Sequence, residues 1–452
     1  MSLAEPRPLA VSPVDAASDH LRDHPGADRV PAAAWLFIAA LVLGIFSGHW
    51  WLLGIPVPLD RVALAGSFAL LGMAWLRGTT PATRVAPVHV AMALAVALCV
   101  ASAAWAGTLV DRQSLFALLD RVMLPYVGFV VAPLVLSTPL ARRRLVQALT
   151  VTGLYVSLTA VISVWGPEAL LWPRYLADPA VGIAHSRARG PSAEAVGTGL
   201  LVITCGAAAA LNAVRTTGLQ RVVSALTVGI CIVAGFLSLT RSIWGGMILV
   251  VLAISLVVPQ ARRRILGLLG GAVVLVGLVI VLVPGVGTSA LDRFSTERSL
   301  EDRAYTNEAA IRMMVDRPLT GVGWGQFVHE SPAYLVQHDT APLTNVGIEV
   351  HNVFLSRGAE MGMPGLLLAL VVVLLGPLRG LLPRRRSLLS SASDVLDMRV
   401  LATAAVVSWL AASLVTGLSF SFANLLTWVL SGLAFGGGVV AARGAPVEVT
   451  TL

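Results

Sequence analysis

Two residues of this sequence are candidates for a chemical role, and Arg241 is one of them. It lies in the string LTRSIWGG, where one apolar run meets the next. A guanidinium group near hydrocarbon is costly unless it is paired, and a phosphate group pairs with it through two parallel hydrogen bonds. The alternative is an arginine that reaches the lipid headgroups as an anchor. The tight turn between the two runs favours an anion site, and the residues alone leave both interpretations open.

His351 is the second candidate, in the string EVHNVFLSRGAEMGMPG. A lone histidine is more often a structural hydrogen-bond partner than a catalyst. This one opens the segment that leads from a polar stretch back into an apolar one, and a Gly-Met-Pro-Gly break follows it. Arginines nearby would lower its pKa by repulsion between like charges. A neutral imidazole at this place is a candidate general base.

The composition determines which elements position these residues. Of the 452 residues, 56% are hydrophobic and 12% are charged, against roughly 25% charged in ordinary globular domains. The mean hydropathy is +0.82. These values exclude a cytoplasmic enzyme, a disordered chain and a disulfide scaffold. Since a membrane-spanning segment must satisfy its backbone hydrogen bonds internally, we expect an all-α polytopic membrane protein.

Apolar stretches of about 20 residues, the length that a bilayer requires, divide the chain. After a disordered cytoplasmic tail (1–32) we predict nine transmembrane helices within 33–283, an extracytoplasmic catalytic loop (284–362), three more helices within 363–441 and a cytoplasmic tail (442–452). The twelve predicted spans are 33–53, 58–76, 86–106, 121–137, 145–165, 195–214, 222–240, 242–258, 265–283, 363–381, 399–418 and 424–441.

The arginines predict the orientation. All 32 basic residues are arginine, the net charge is +8, and these residues are spread through short connections between the apolar runs. Such a distribution fits the positive-inside rule better than nucleic-acid binding. With both termini in the cytoplasm of a plasma-membrane protein, Arg61 and Arg121 are the minor exceptions. The cytoplasmic connections then carry Arg77, Arg84, Arg142, Arg143, Arg144, Arg215, Arg221, Arg262, Arg263, Arg264, Arg384, Arg385 and Arg386.

Two long connections, 166–194 and 284–362, fall on the outer side. In the second, Ser299 and Asp302 resemble a capping box, which predicts a helix that Pro318 ends. The glycine string GVGWG lacks the strand that precedes a nucleotide-binding loop, so we expect a tight turn or close backbone packing there. No spacing of histidines or cysteines predicts a metal site.

Three strings together carry a resemblance to a known family. RPLTGVGWGQF and HNVFLSRGAEMGMPGLL, with LTRSIWGG upstream, resemble the O-antigen ligase and polymerase superfamily. The resemblance implies a metal-independent, inverting glycosyltransferase of the GT-C type without a cofactor. Its donor would be a glycan on undecaprenyl diphosphate outside the plasma membrane, and its acceptor a glycan or glycolipid.

The resemblance also implies roles for individual residues. The Asn-Pro-Asn-like residues that often follow the first-loop arginine in the family are replaced here by PSAE. The catalytic residues would be His351, Arg241 and Arg303, and the substrate-binding residues Arg189 or its neighbour Arg187, Asn352 and Glu360.

Alternative functions remain at this stage. A polymerase of repeat units in the same superfamily removes the same leaving group, so the sequence favours the ligase only slightly. From another class, a transporter or flippase of lipid-linked glycans also suits twelve spans, although we see few charged residues near the span centres and no inverted repeat. A purely structural scaffold explains neither Arg241 nor the HN string. The expected partners are the lipid-linked donor, the acceptor and membrane lipids, without nucleic acid.

Overall fold

The chain is helical almost throughout. A computed structural model describes residues 30–80, 82–83, 85–182, 186–259, 262–283, 285–295, 298–336, 349–382, 392–436 and 440–441. The α-helices are α1 (Ala32–Leu43), α2 (Leu59–Leu76), α3 (Pro87–Trp105), α4 (Arg112–Leu118), α5 (Leu124–Val135), α6 (Pro139–Trp165), α7 (Ala195–Arg215), α8 (Gly218–Leu237), α9 (Arg241–Val257), α10 (Arg262–Leu282), α11 (Val286–Ser295), α12 (Arg298–Asp316), α13 (Phe327–Glu330), α14 (Val353–Val373), α15 (Arg379–Leu381), α16 (Ala392–Ser413) and α17 (Ser421–Gly436).

Shorter elements connect these helices. The π-helical turn Leu119–Met123 joins α4 to α5, and a second one, Leu374–Leu378, joins α14 to α15. Two short strands, β1 (Ala82–Thr83) and β2 (Val440–Ala441), pair antiparallel. Helices of the 3₁₀ type are Gly44–Phe46, Trp50–Leu53, Thr108–Val110, Glu168–Leu170, Arg174–Ala177 and Ser331–Ala333.

The helices confirm a polytopic all-α membrane protein. Within the described ranges, 9 helices are long and apolar enough to cross a membrane. Three shorter apolar helices, Ala32–Phe46, Arg241–Val257 and Ser421–Gly436, fall on the remaining predicted stretches. Every predicted stretch therefore coincides with an apolar helix, while the count of twelve membrane crossings stays a prediction.

Contacts between connections show that alternate loops gather at the same end of the bundle. At one end, the backbone N–H of Ala188 donates to Leu237 (2.9 Å), and Thr108 Oγ1 donates to the carbonyl of Trp324 (2.8 Å). At the other, Arg215 pairs with Asp397 at 2.7 Å. We call the first the loop end, because 166–194 and 283–352 both leave the bundle there, and the second the arginine end.

Small residues let the core helices approach closely. At the crossing of α5 and α17, a Cβ on Gly432 would collide with the carbonyl oxygen of Phe129. Phe129 and Trp428 pack edge to face nearby, with ring centroids 6.2 Å apart. Tight crossings of this kind hold transmembrane helices together through van der Waals contact, since lipid offers no hydrophobic driving force.

At the arginine end, Arg142 has a structural role. Its side chain donates to the carbonyls of Leu136 (3.1 Å) and Ser137 (2.8 Å), which follow α5. Asp394 accepts from the same guanidinium at 3.4 Å. A buried arginine thus satisfies carbonyl groups just beyond the end of a helix, which have no partner within the helix.

Helix α14 begins ten residues before the predicted span. Asn352 caps it, since Asn352 Oδ1 accepts from the backbone N–H groups of Phe354 (2.9 Å) and Leu355 (3.1 Å). Gly362 breaks the helix with a φ of 68°, and the next N–H, of Met363, donates to the carbonyl of Pro318 at 2.7 Å. The hydropathy signal misses the first turns because they carry polar residues. The division of the chain at residue 362 stays a prediction.

Candidate functional site

His351 lies directly before the cap of α14, between buried Val350 and Asn352. The imidazole is partly buried. Its Nδ1 atom is buried and has no hydrogen-bond partner among the described residues.

The surroundings of His351 favour its neutral form. Burial lowers the pKa of His351, and the positive charge of Arg303 on α12 lowers it further. The carboxylates of Asp302 and Glu349 and a hydrogen bond to the backbone of Glu349 oppose this shift in part. The direction agrees with the effect predicted for nearby arginines, and burial of the imidazole is the larger cause. A histidine in this state can accept a proton at neutral pH.

Arg303 is therefore within electrostatic reach of His351. Helix α12 packs along α14 through an apolar cluster that includes Ala310, Met313, Val350 and Ala359. The predicted helix after Ser299 is found as Arg298–Asp316 and ends before Pro318, as expected. Packing of α12 on α14 brings together two residues that lie 48 positions apart in the sequence.

Arg241 begins α9 at the same end of the bundle. The turn before it holds Leu239 in the left-handed region, with a φ of 45°. Helix α9 packs on α16, where a Cβ on Gly246 would lie 3.7 Å from Ser408 Cα. Beyond the end of α16, the carbonyl of Leu414 accepts from Asn352 Nδ2 at 3.4 Å. The end of α16 therefore links the start of α9 to the start of α14.

The two first-loop arginines differ in their surroundings. Arg189 is 3% exposed, and its guanidinium donates to the carbonyls of Val181 (2.9 Å) and Leu176 (3.3 Å). Burial lowers the pKa of Arg189, and Glu194 partly offsets that effect. Arg189 thus organises its own loop. Arg187 is half-buried beside Ala188, whose hydrogen bond to Leu237 holds the loop against the end of α8.

Asn352 and Glu360, expected to bind substrate, have partners within the protein. Asn352 is the cap of α14. Glu360 is 8% exposed, its Oε1 accepts from the backbone N–H of Gly325 (3.0 Å), and its Oε2 lies 3.5 Å from Arg357. Sequence reasoning missed these roles because the partners Leu414 and Gly325 are distant in the chain.

The glycine string is a close backbone junction. Gly321, Gly323 and Gly325 all have positive φ, at 63°, 105° and 78°. The N–H groups of Val322 and Gly323 donate to the carbonyls of Ala359 and Glu360, each at 2.9 Å. This confirms close packing and agrees with the rejection of a nucleotide-binding loop.

Trp324, within this string, connects α14 to α3 and α4. Its Nε1 donates to the carbonyl of Ser114 (3.0 Å), and its backbone N–H donates to Ser102 Oγ (3.0 Å). The guanidinium of Arg357 lies over the ring, 4.5 Å from its centroid. The string with its partners forms what we call the glycine clamp: residues 321–325, Ser102, Ser114, Arg357 and Glu360.

We expect Glu360→Ala to destabilise the protein by about 3–5 kcal/mol, because it leaves the Arg357 cation buried without its carboxylate. The measurement is the midpoint of thermal unfolding in detergent. Glu308→Ala is the control, since it breaks an exposed ion pair with Arg312 (2.6 Å) on α12. Equal midpoints for the two variants would show that the pair between Arg357 and Glu360 does not stabilise the fold.

The two arginines that break the positive-inside pattern have carboxylate partners. Arg61 lies 2.5 Å from Asp120, and Arg121 lies 2.9 Å from Glu349. The sequence already placed both arginines on the side with fewer basic residues. An arginine there needs a compensating anion, and this was the signal that could have pointed to their carboxylate partners.

Comparison with known proteins identifies one segment. No curated protein matches the chain. A family model described as O-antigen ligase matches residues 226–370, a segment that contains Arg241, Arg303, the glycine clamp's string and His351. Through this segment, which spans about a third of the chain, the protein is similar to the O-antigen ligase family.

Proposed function

We propose that the protein transfers a glycan from undecaprenyl diphosphate to an acceptor hydroxyl at the outer face of the plasma membrane. The observation that carries the proposal is a partly buried histidine, His351, whose pKa is lowered by burial and by the charge of Arg303, within the segment that matches the O-antigen ligase family. Both lie at the loop end, which the arginine distribution assigns to the outer side.

The donor's diphosphate is the group that the arginines would bind. Arg241 starts α9, whose first turn contains no acidic residue, so its charge adds to the positive end of the helix dipole. Negative charge grows on the bridging oxygen as the bond to the sugar breaks. Guanidinium groups fixed in place would stabilise that charge by about 2.7–4 kcal/mol per donor, without a metal ion.

The acceptor hydroxyl is activated by His351. The bond between the anomeric carbon and the diphosphate oxygen breaks, and the electron pair leaves with undecaprenyl diphosphate. The acceptor oxygen forms the new bond from the opposite side, which inverts the anomeric carbon. Its proton passes to Nε2 of His351, a contribution of about 10²–10⁴-fold in rate. His351 then releases the proton to water.

Product analysis tests this function against a transporter. Purified protein in nanodiscs is supplied with an undecaprenyl-diphosphate-linked glycan and an outer-membrane or glycan acceptor fraction. A new glycosidic bond, with release of undecaprenyl diphosphate, supports the transferase. A donor that crosses the bilayer of a vesicle without a new bond would overturn it.

Deletion of the gene separates ligase from polymerase. We favour the ligase, whose loss leaves long chains on the polyprenyl carrier. Accumulation of single repeat units would instead identify a polymerase. Both outcomes are read from the lengths of the lipid-linked intermediates.

A further inference from the structure

An ion pair connects the His351 segment to a distant helix. Arg121 donates to Glu349 Oε1 at 2.9 Å, across 228 positions of the sequence. Glu349 lies two residues before His351, and Arg121 lies in the π-helical turn Leu119–Met123. The proposed function uses neither residue.

The π-helical turn that carries Arg121 is fixed from the other side. Asp120, the residue before Arg121 in this turn, accepts hydrogen bonds from Arg61 (2.5 Å) and from Ser421 Oγ (2.8 Å). These partners belong to α2 and α17. Two successive residues thus point to different partners, Asp120 to neighbouring helices and Arg121 to Glu349. Such turns are frequent at functional sites because the extra residue redirects side chains.

The segment from Glu349 to Asn352 is held at several points. Val350 is 2% exposed, and a Cβ on Gly417 would lie 3.1 Å from its carbonyl oxygen. Asn352 caps α14 and donates to Leu414. His351 therefore lies between the Arg121–Glu349 pair and the start of α14. Movement of either attachment would move the imidazole.

We propose that Arg121 and Glu349 form a positioning pair for His351, which fixes the imidazole against the bundle and balances the charge around it. The catalytic meaning of this pair rests on the proposed function. The effect of the pair on the imidazole itself is independent of it and can be measured without substrate.

Charges that face His351 come from two sides. Helix α12 contributes Arg303 and Asp302, and the His351 segment contributes Glu349, which raises the pKa of His351 against the effect of Arg303. The packed connection 414–420 contains no titratable residue. Arg121 neutralises Glu349 from the π-helical turn, with side chains that are 20% and 40% exposed. Changing either partner should therefore shift the protonation of His351, in opposite directions.

The experiment measures the ethoxycarbonylation of His351 by diethylpyrocarbonate as a function of pH. The full chain in nanodiscs is labelled, and peptide mass spectrometry resolves His351 from the other histidines. Only neutral imidazole reacts. A charge within a few ångströms shifts a pKa by roughly 1–3 units, and solvent screens part of this effect. We therefore expect Glu349→Gln to lower the midpoint of the reaction by about 0.5 pH units.

Arg121→Gln should move the same midpoint up by about 0.5 pH units, because it leaves the Glu349 carboxylate without its cation. Arg121→Lys retains the charge and should return the midpoint to that of the parent. The matched control is Glu308→Gln, which removes a carboxylate from the exposed pair with Arg312 and should leave the midpoint unchanged. Size-exclusion profiles identify any variant that fails to fold. If Arg121→Gln does not fold, the midpoint of the near-isosteric variant Glu349→Gln tests the proposal.

Identical midpoints in the parent, Glu349→Gln and Arg121→Gln would overturn the positioning pair. In the transfer assay, Arg121→Gln should lower kcat on the order of tenfold with little change in KM, as expected for a misplaced base. Failure of the proposed function gives a different result. In that case the parent protein would form no new glycosidic bond, while the labelling midpoints of Glu349→Gln and Arg121→Gln would still shift.

Discussion

His351→Ala should abolish glycan transfer while the protein remains folded and inserted. The expected loss is about 10²–10⁴-fold, the contribution of a well-placed general base. We expect the fold to survive, because the imidazole is only partly buried and its Nδ1 atom has no hydrogen-bond partner among the described residues. The measurement is the rate of undecaprenyl diphosphate release from a lipid-linked donor by purified protein.

A second histidine provides the control for this prediction. His329→Ala changes a side chain that is 81% exposed in the same family segment, and it should leave the rate unchanged. The pH dependence gives a further check. Since burial and Arg303 lower the pKa of His351, activity should persist below pH 6.5 and fall only as the imidazole takes up a proton. Transfer by His351→Ala at the parent rate would exclude this residue as the base.

Arg241→Ala should lower kcat/KM for the lipid-linked donor by about 10²–10³-fold, the usual effect of losing one donor to developing negative charge. The positive charge of the guanidinium adds to that of the N-terminal end of the α9 dipole. Without Arg241, the diphosphate would lose this countercharge and two parallel hydrogen bonds. Arg241→Lys keeps the charge alone and should recover part of the rate.

An exposed arginine separates this effect from general electrostatics. Arg112, at the start of α4, lies over the ring of Phe116 at 5.6 Å and is exposed at the loop end. Arg112→Ala removes the same charge and should change kcat/KM by less than about twofold, because exposed charges are screened. Equal losses in the two variants would mean that Arg241 acts only through the net charge of this surface.

The membrane architecture could be predicted well because hydropathy reports a physical requirement on each helix separately. Residues 195–214, for example, form α7, which the structure gives as Ala195–Arg215. The prediction was weaker where polar residues belong to a helix. The span predicted as 121–137 begins earlier in the structure, where α4 is continuous with α5 in one candidate span, Arg112–Val135. Its charged residues Asp120 and Arg121 find partners in distant parts of the chain.

The candidate site could be predicted only as separate residues. The motifs drew attention to His351 and Arg303, and packing of α12 on α14 brings these two together. The partners of Glu360 and Asn352 could not be deduced, because Gly325 and Leu414 reach them only after the bundle assembles. The same holds for Glu349, whose partner Arg121 lies 228 positions away.

The glycine clamp has a consequence for synthesis of the chain. Trp324 meets Ser102 and Ser114 across 222 and 210 positions. Those serines leave the ribosome and enter the bilayer long before their partner exists, and contacts between such remote positions form late in folding. We therefore expect a nascent chain released before residue 324 to be inserted but open between its third and fourth helices, and so to be a substrate for membrane quality-control proteases.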